Sequence, residues 1–83
     1  MQRITSIRLI APESPKRAFY ALSLMKGTEG YHVAKESGYG ASVLDRRVWL
    51  FSDEILAFRF YTAKLKEKLN PNRTSPRKYV IAN

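Results

Sequence analysis

The sequence predicts a small α+β fold, in which an antiparallel β-sheet of four to five strands is covered by one long α-helix. Three features lead to this prediction. Apolar and polar residues alternate in short segments that are separated by turns containing glycine or proline, which is typical of strands. Residues 52–69 lie within the longest run without glycine or proline, so one long helix is expected there. At 83 residues, the chain is expected to form a single domain, 1–83.

The first two predicted strands differ in how they would be buried. Within residues 4–11, Ile7, Leu9 and Ala11 fall on one side and Arg8 on the other, which predicts a strand with one buried face. Two prolines then interrupt the chain and predict a loop. Residues 18–25 are largely apolar on both faces, which is the pattern of a central strand.

A hairpin and two further strands are predicted after it. The turn Lys26–Gly30 joins the second strand to a third strand at residues 31–36. The glycines of Ser37-Gly38-Tyr39-Gly40 predict either positive φ or a close backbone approach. Residues 48–51 are apolar on both faces, so this fourth strand is expected inside the sheet, and residues 79–81 could add a short edge strand.

The predicted helix, residues 52–69, carries signals at both ends. Ser52 is the expected N-cap, acidic residues follow it, and lysines occupy the last turns, where they complement the helix dipole. Asn70 and Pro71 should end the helix, leaving residues 70–83 as a basic C-terminal tail.

The helix has two apolar stripes. The stripe expected to face the sheet follows helical spacing and consists of Ile55, Phe58, Thr62, Leu65 and Leu69. A second stripe, Leu56, Phe60 and Ala63, lies near the opposite side of the helical wheel. Either the tail folds over this second stripe, or it is an interface for a second copy of the chain or a larger protein partner.

The charge balance indicates the class of ligand. Fifteen Lys and Arg against seven Asp and Glu give a net charge of +8. Such an excess favours binding to polyanions such as nucleic acid, although a charged surface can also serve solubility alone. No segment approaches the roughly 20 apolar residues of a membrane span, so a membrane partner is not expected. Because the chain contains no cysteine, a cytoplasmic protein without disulfides or thiolate zinc sites is expected.

A basic turn and the basic tail form the predicted nucleic-acid site. Arginine binds phosphate oxygens through two parallel hydrogen bonds, and a tyrosine on a turn can stack on a base or sugar. Alternatively, Arg46 pairs with Asp45 or Asp53, and Tyr39 is an ordinary hairpin residue. The predicted binding residues are Tyr39, Arg46, Arg47, Arg73, Arg77 and Lys78.

Catalytic and metal sites are not expected. His32 is the single histidine, and without cysteine a metal site would depend on carboxylates around it. Ser37 and Ser42 have no histidine nearby in the sequence to act as a base. Trp49 lies in a continuous apolar run and is therefore expected in the core. Neither an enzyme nor a bound cofactor is predicted.

Several short strings between Lys16 and Lys68 occur in the order of a known module. They are Phe19-Tyr20, Gly30-Tyr31-His32-Val33, Ser37-Gly38-Tyr39-Gly40, and a helix pattern of Ala57, Tyr61, Leu65 and Lys66-Glu67-Lys68. In this order they resemble the WGR domain, a small module found beside the catalytic region of some poly(ADP-ribose) polymerases and in stand-alone bacterial proteins. At the family's signature turn, this chain carries Ser37-Gly38-Tyr39 in place of Trp-Gly-Arg.

The resemblance implies a WGR-like fold and DNA binding, because the signature turn of the polymerase members contacts DNA near a strand end. With the charge, it predicts a non-catalytic nucleic-acid-binding module that binds DNA rather than RNA. The alternative is a protein interaction or dimerisation module that uses Leu56, Phe60 and Ala63.

Overall fold

The computed structural model describes residues 2–70, 72 and 78–82 and contains five strands and one helix in these ranges. The strands form a single antiparallel sheet in the order β4-β3-β2-β1-β5, on which the helix packs, so the predicted α+β fold is confirmed. The elements are β1 (Gln2–Ile10), β2 (Ala18–Lys26), β3 (Tyr31–Tyr39), β4 (Ser42–Phe51), α1 (Glu54–Leu69) and β5 (Val80–Ile81).

The central position of β2 is confirmed. It lies third in the five-stranded sheet, and its Leu22 and Leu24 are almost completely buried. Leu9 of β1 and Val33 of β3 flank them on the same face and complete the buried centre. We call this the helix face, because Ala57 and Tyr61 of α1 close the same core cluster.

The opposite face of the sheet, which we call the open face, carries the alternate residues of each strand. Ala21 of β2 and Ala34 of β3 lie there, with Val48 of β4 beside them. This face has no packed helix among the described residues, and Val48 is more than half exposed. The sheet therefore buries one side much more completely than the other.

The predicted interior position of the fourth strand is wrong, because β4 lies at one edge of the sheet. Trp49 and Phe51 pack against the core on the helix face, whereas Val48 and Leu50 on the open face are exposed. Apolar residues on both faces misled the prediction, since only one face of the strand is buried. The short edge strand predicted at the C-terminus is confirmed at the other edge, where β5 pairs with β1.

Both glycines of the β3–β4 turn have the predicted roles. Gly40 adopts a φ of +57°, in the left-handed region. Gly38 meets the backbone of β4 so closely that an added Cβ would lie 1.9 Å from the Ser42 carbonyl oxygen. A register shift beside Gly38 leaves Leu44 as an extra residue in β4, so this approach accompanies a β-bulge.

The helix begins later than predicted. Asp53, not Ser52, is the N-cap, and its carboxylate accepts a hydrogen bond of 3.0 Å from the Ile55 backbone N–H. Helix α1 then runs as a continuous element to Leu69. The acidic first turn and the lysines of the last turn match the predicted polarity.

The predicted buried stripe of the helix is right in its second half, where Leu65 and Leu69 pack against the core, and wrong in its first half. Ile55 and Phe58 are 61% and 53% exposed, whereas Ala57 is fully buried and Tyr61 is 5% exposed. Phe60, predicted on the outer side, packs against the core. Apolar residues surround the first half of the helix, so the spacing alone did not determine which side would face the sheet.

No helix in the described part of the chain is both long and apolar enough to cross a membrane.

Candidate nucleic-acid interface

Strand β4 places its two arginines on opposite faces of the sheet. Arg47 pairs across the strands with Lys35 on the helix face, and Arg46 pairs with Glu36 on the open face. The two residues were predicted to act together, but the alternation of a regular strand separates them. They therefore belong to different surfaces.

On the helix face, Arg47 joins a group of cations that lie over aromatic rings. The Arg47 guanidinium carbon is 6.0 Å from the centre of the Trp49 ring, and Lys64 Nζ is 5.4 Å from the same ring. Lys64 Nζ also lies 5.5 Å from the centre of the Phe60 ring. The Phe60 ring is tilted against the Trp49 ring, and their centres are 4.8 Å apart. The helix and β4 thus share one aromatic platform with two cations on it.

Two further lysines lie over Tyr20. Lys68 Nζ is 4.9 Å and Lys35 Nζ is 5.6 Å from the centre of this ring. Since Lys35 is also the cross-strand neighbour of Arg47, all four cations are linked through shared rings and strand pairing. We call this group, Lys35, Arg47, Lys64 and Lys68, the basic crevice.

The basic crevice contains more positive than negative charge. Lys35 forms a salt bridge with Asp45, and Lys64 lies 4.0 Å from Glu67. The hydrogen bond from Lys35 lowers the pKa of the Asp45 carboxyl below its ordinary value. These two carboxylates offset part of the charge of four cations, so the crevice has a positive surplus.

Tyr20 forms the buried floor of the crevice. Its side chain is 4% exposed, and Tyr79 lies against it with ring centres 6.2 Å apart. Burial, together with the nearby Glu67 carboxylate, raises the pKa of Tyr20 to about 12. The phenol therefore stays neutral at physiological pH and does not reduce the positive charge.

The remaining predicted binding residues are not members of the basic crevice. Tyr39 is half-buried at the end of β3 and packs against the core, with Lys16 Nζ 5.5 Å from its ring. Lys78 is exposed and directly precedes Tyr79, which contacts Tyr20. Arg73 and Arg77 lie outside the residues that the structure describes.

Arg46 is engaged elsewhere. Its Nε donates a hydrogen bond of 3.2 Å to Glu36 Oε1, in an exposed ion pair. The pairing alternative considered for Arg46 named Asp45 or Asp53, but the partner is the cross-strand neighbour Glu36. Arg46 thus lies on the open face, away from the basic crevice.

Lys35, Lys64 and Lys68 were not among the predicted binding residues. Two of them could have been found from spacing, because Lys64 and Lys68 are four residues apart and so share one helix face. Lys35 could not have been found from spacing, since only the register of β3 with β2 and β4 brings it beside Tyr20 and Arg47.

The residues of the predicted helix interface, Leu56, Phe60 and Ala63, differ in their exposure. Leu56 is 51% exposed and Ala63 is exposed, but Phe60 lies 4.8 Å from Trp49 and 5.3 Å from Phe51, measured between ring centres. Phe60 is therefore covered by the sheet of its own chain. Since Phe60 is only half-buried, the use of Leu56, Phe60 and Ala63 as an interface stays a prediction.

The described residues contain no group of three or more His, Cys, Asp or Glu side chains that could hold a metal ion. Comparison with known proteins gives no match to a family model, a curated protein or a solved structure.

Proposed function

We propose that the protein is a non-catalytic nucleic-acid-binding module whose contact surface is the basic crevice. The supporting observation is the linked set of cations over Trp49 and Tyr20, which exceeds the carboxylates paired with it. Basic side chains interleaved with aromatic rings are the usual chemistry of sequence-tolerant nucleic-acid binding.

Each residue of the crevice has a defined part in this proposal. Arg47 offers a planar fork that can bind two phosphate oxygens, whereas Lys35, Lys64 and Lys68 act as point charges. Tyr39 lies at the end of β3 and could stack on a base or sugar. If the crevice binds four phosphates of a duplex, the affinity should fall with a log–log salt slope of about −3.6.

The proposed ligand is DNA rather than RNA, because the WGR domain that the sequence resembles contacts DNA in its polymerase members. Ser37-Gly38-Tyr39 occupies the position of the family's signature tripeptide, and the main chain there forms the end of β3. Without the family's tryptophan and arginine at that turn, the basic crevice has to supply the contacts. Membership of the family and a cytoplasmic location stay predictions.

The test uses two neighbouring arginines as a matched pair. Arg47→Ala and Arg46→Ala remove the same charge from the same strand, but on opposite faces. Binding of fluorescent duplex DNA, single-stranded DNA and RNA is measured by anisotropy over a range of salt concentrations. We expect Arg47→Ala to weaken duplex binding by roughly 10-fold and to reduce the salt slope by about 0.9, with little change for Arg46→Ala.

Two results would refute the proposal. One is the absence of binding to any of the three nucleic acids at low salt. The other is an equal loss for both variants, which would mean that the net charge, and not the crevice, attracts the ligand. A thermal unfolding curve for each variant establishes that neither substitution acts by unfolding the protein.

A second candidate function is protein interaction through the outer side of the helix. Ile55 and Phe58 are largely exposed and lie about one turn apart, with Leu56 exposed next to them. Light scattering of the wild type beside Phe58→Asp tests self-association through this side. A monomer in both cases would leave a different protein as the partner.

A further inference from the structure

The two edges of the sheet differ in how far they are closed. At one edge, β5 pairs with the end of β1, and the Ala82 N–H donates a hydrogen bond of 2.8 Å to the Arg8 carbonyl oxygen. Nearer its start, β1 is interrupted by a β-bulge between Arg3 and Thr5. Bulges and very short edge strands are common means of preventing another strand from adding to a sheet. The β1 edge is therefore largely closed.

The other edge, formed by β4, is open over a regular segment. Residues Asp45–Phe51 pair with β3 without a bulge, and no strand among residues 2–70, 72 and 78–82 pairs with their outer side. Such an edge presents backbone N–H and C=O groups that can bind a further strand. With 10 residues, β4 is also longer than a typical strand of about five or six. The β4 edge is thus the place where the described sheet can be extended.

The side chains along this edge change from charged to apolar. Asp45, Arg46 and Arg47 come first, and charged residues discourage the pairing of edge strands. Val48 and Leu50 follow on the open face and are 56% and 71% exposed. The apolar end of β4 therefore combines an unpaired backbone with two exposed apolar side chains, which together mark an interaction site.

The apolar end of β4 is complementary to itself. In an antiparallel pair around a two-fold axis at Trp49, Val48 lies opposite Leu50 of the second copy, and the reverse pair follows by symmetry. Both pairs bury side chains that are exposed in the single chain. On the helix face, Arg47 lies opposite Phe51 of the second copy, which favours a cation–π contact. No like charges lie opposite each other in the paired segment.

Other two-fold registers of β4 are less favourable. With the axis at Val48, the apolar Leu50 would lie opposite Arg46 of the second copy. With the axis at Arg46 or Arg47, that arginine would lie opposite itself, and like charges directly opposite are destabilising. With the axis at Leu50, Val48 would lie opposite a residue beyond the end of β4. The side chains therefore favour the register around Trp49.

We propose that the protein forms a symmetric dimer in which the β4 edges of two copies pair antiparallel around Trp49. The two sheets then join into one, with both helices on the same side, because paired residues share a face. The β1 edges lie at the two ends, where β5 and the bulge prevent further addition, so assembly stops at two copies. Since the paired segment is short, the dimer should be weak and should depend on protein concentration.

Net charge gives this dimer a salt dependence opposite to that of nucleic-acid binding. Each copy carries a charge of +8, so two copies repel each other, and salt screens this repulsion. Dimerisation should therefore become stronger as the salt concentration rises, whereas DNA binding becomes weaker. The inference does not rest on the basic crevice.

Analytical ultracentrifugation of the whole chain, over a range of protein and salt concentrations, tests the dimer. We expect the wild type to pass from monomer to dimer as its concentration rises. Leu50→Lys should raise the dissociation constant by about 10-fold or more, because its charge would lie opposite Val48 in the interface. Ile55→Lys is the matched control, since it adds the same charge at a side chain that is 61% exposed on the helix. It should leave the dissociation constant unchanged.

Two results would overturn the dimer: a wild type that stays monomeric up to about millimolar concentration at high salt, or an equal effect of both lysine variants. Thermal unfolding of each variant establishes that it is folded. If Leu50→Lys dissociates the dimer while Arg47→Ala has no effect on DNA binding, only the proposal for the basic crevice fails. If DNA binding depends on Arg47 and the wild type is monomeric, only the dimer fails.

Disulfide cross-linking tests the register. Because the chain has no cysteine, Val48→Cys and Leu50→Cys each introduce a single thiol. Directly opposite residues have Cβ atoms about 4.5–5.5 Å apart, close to disulfide geometry, whereas diagonal neighbours are about 7–8 Å apart. Oxidation of a mixture of the two variants should therefore give chiefly the disulfide between different variants, which mass spectrometry distinguishes. A random mixture of products, or a majority of disulfides between identical variants, would overturn the pairing around Trp49.

Discussion

The two faces of the sheet use basic and aromatic residues in different ways. On the helix face, the Phe60 ring packs at a tilt against both Trp49 and Phe51, and Lys64 lies over the Trp49 ring. On the open face, Phe19 is a single buried ring beneath Arg8. The helix face therefore combines packing with charge, whereas the open face has little packing and carries arginines and hydroxyls over a shallow floor.

The difference indicates where the stability of the fold resides. A small domain buries only about 60–65% of its unfolded surface, so its core is modest. The almost completely buried aliphatic side chains, Leu9, Leu22, Leu24 and Val33, all lie on the helix face. Substitutions on the open face should accordingly cost less stability than substitutions on the helix face.

The largest contrast is expected between Leu22→Ala and Met25→Ala, two substitutions in β2 on opposite faces. Leu22 is fully buried, so its truncation should cost about 3 kcal/mol through lost burial and a cavity. Met25 is half-buried on the open face, and its truncation should cost less than about 1.5 kcal/mol. Urea unfolding of both variants measures the difference.

Equal losses for these two variants would mean that the open face is packed as tightly as the helix face, in conflict with the burial described above. Total stabilities of small domains are about 5–15 kcal/mol, so Leu22→Ala could leave little folded protein. Leu22→Val, with an expected cost of about 1 kcal/mol, then provides the comparison.

A second contrast lies within the helix and uses two identical side chains. Phe60→Ala removes the ring that stacks on Trp49 and Phe51, and should cost about 2–3 kcal/mol. Phe58→Ala removes a ring that is 53% exposed, and should cost about 0.5 kcal/mol. Thermal or urea unfolding distinguishes them. A greater loss of stability for Phe58→Ala than for Phe60→Ala would mean that Phe58 faces the sheet, as the sequence pattern predicts.

The strands were predictable because their alternation is a local property. Ile7 and Leu9 of β1, and Ala11 directly after it, lie in or against the core as their spacing predicts, and the same holds for the alternate residues of β2. Glycine and proline marked the turns, and Gly38 and Gly40 have the close approach and positive φ expected of them. The element order and the α+β class follow from these local signals.

The helix phase and the grouping of cations were not predictable, because both depend on the sheet below. Phe60 is packed and Phe58 is not, because the rings of Trp49 and Phe51 contact Phe60. The long side chains of Lys64 and Lys68 lie over rings on the covered side of the helix, where a search for apolar spacing passes over lysine. The separation of Arg46 from Arg47, by contrast, follows from the alternation of side chains along a strand, which is a local property.

A smaller, stabilising effect is expected at the loop before β2. Arg17 adopts a φ of 58°, which costs about 1–2 kcal/mol for a residue with a Cβ, and its carbonyl accepts a hydrogen bond of 2.9 Å from the Gly40 N–H. Arg17→Gly should raise the free energy of unfolding by about 0.5–1 kcal/mol, because glycine removes the strain but gains entropy when unfolded. Arg17→Ala retains the Cβ and should bring no gain.

Arg17→Gly and Arg17→Ala also bear on the comparison of the two faces, since Arg17 borders the open side of the sheet near Phe19. Urea unfolding of both variants supplies the measurement. A gain in stability for Arg17→Ala equal to that for Arg17→Gly would assign the cost at this position to the positive charge and not to the backbone.

The smallest effect, which is measurable only at alkaline pH, concerns Tyr20 on the helix face. Folding raises the pKa of its phenol from the ordinary value of 10.0 to about 12, chiefly because the group is buried. A raised pKa favours the folded state fully below pH 10, and this contribution is lost as the pH rises from 10 to about 12. Absorbance at the tyrosinate wavelength should therefore show a late-ionising component that Tyr20→Phe diminishes and that urea shifts toward pH 10. Tyr61, whose pKa burial also raises, stays in the variant, so the difference between the two titrations isolates Tyr20. An identical late component in the variant would mean that water reaches Tyr20, and that the helix face is not the drier of the two.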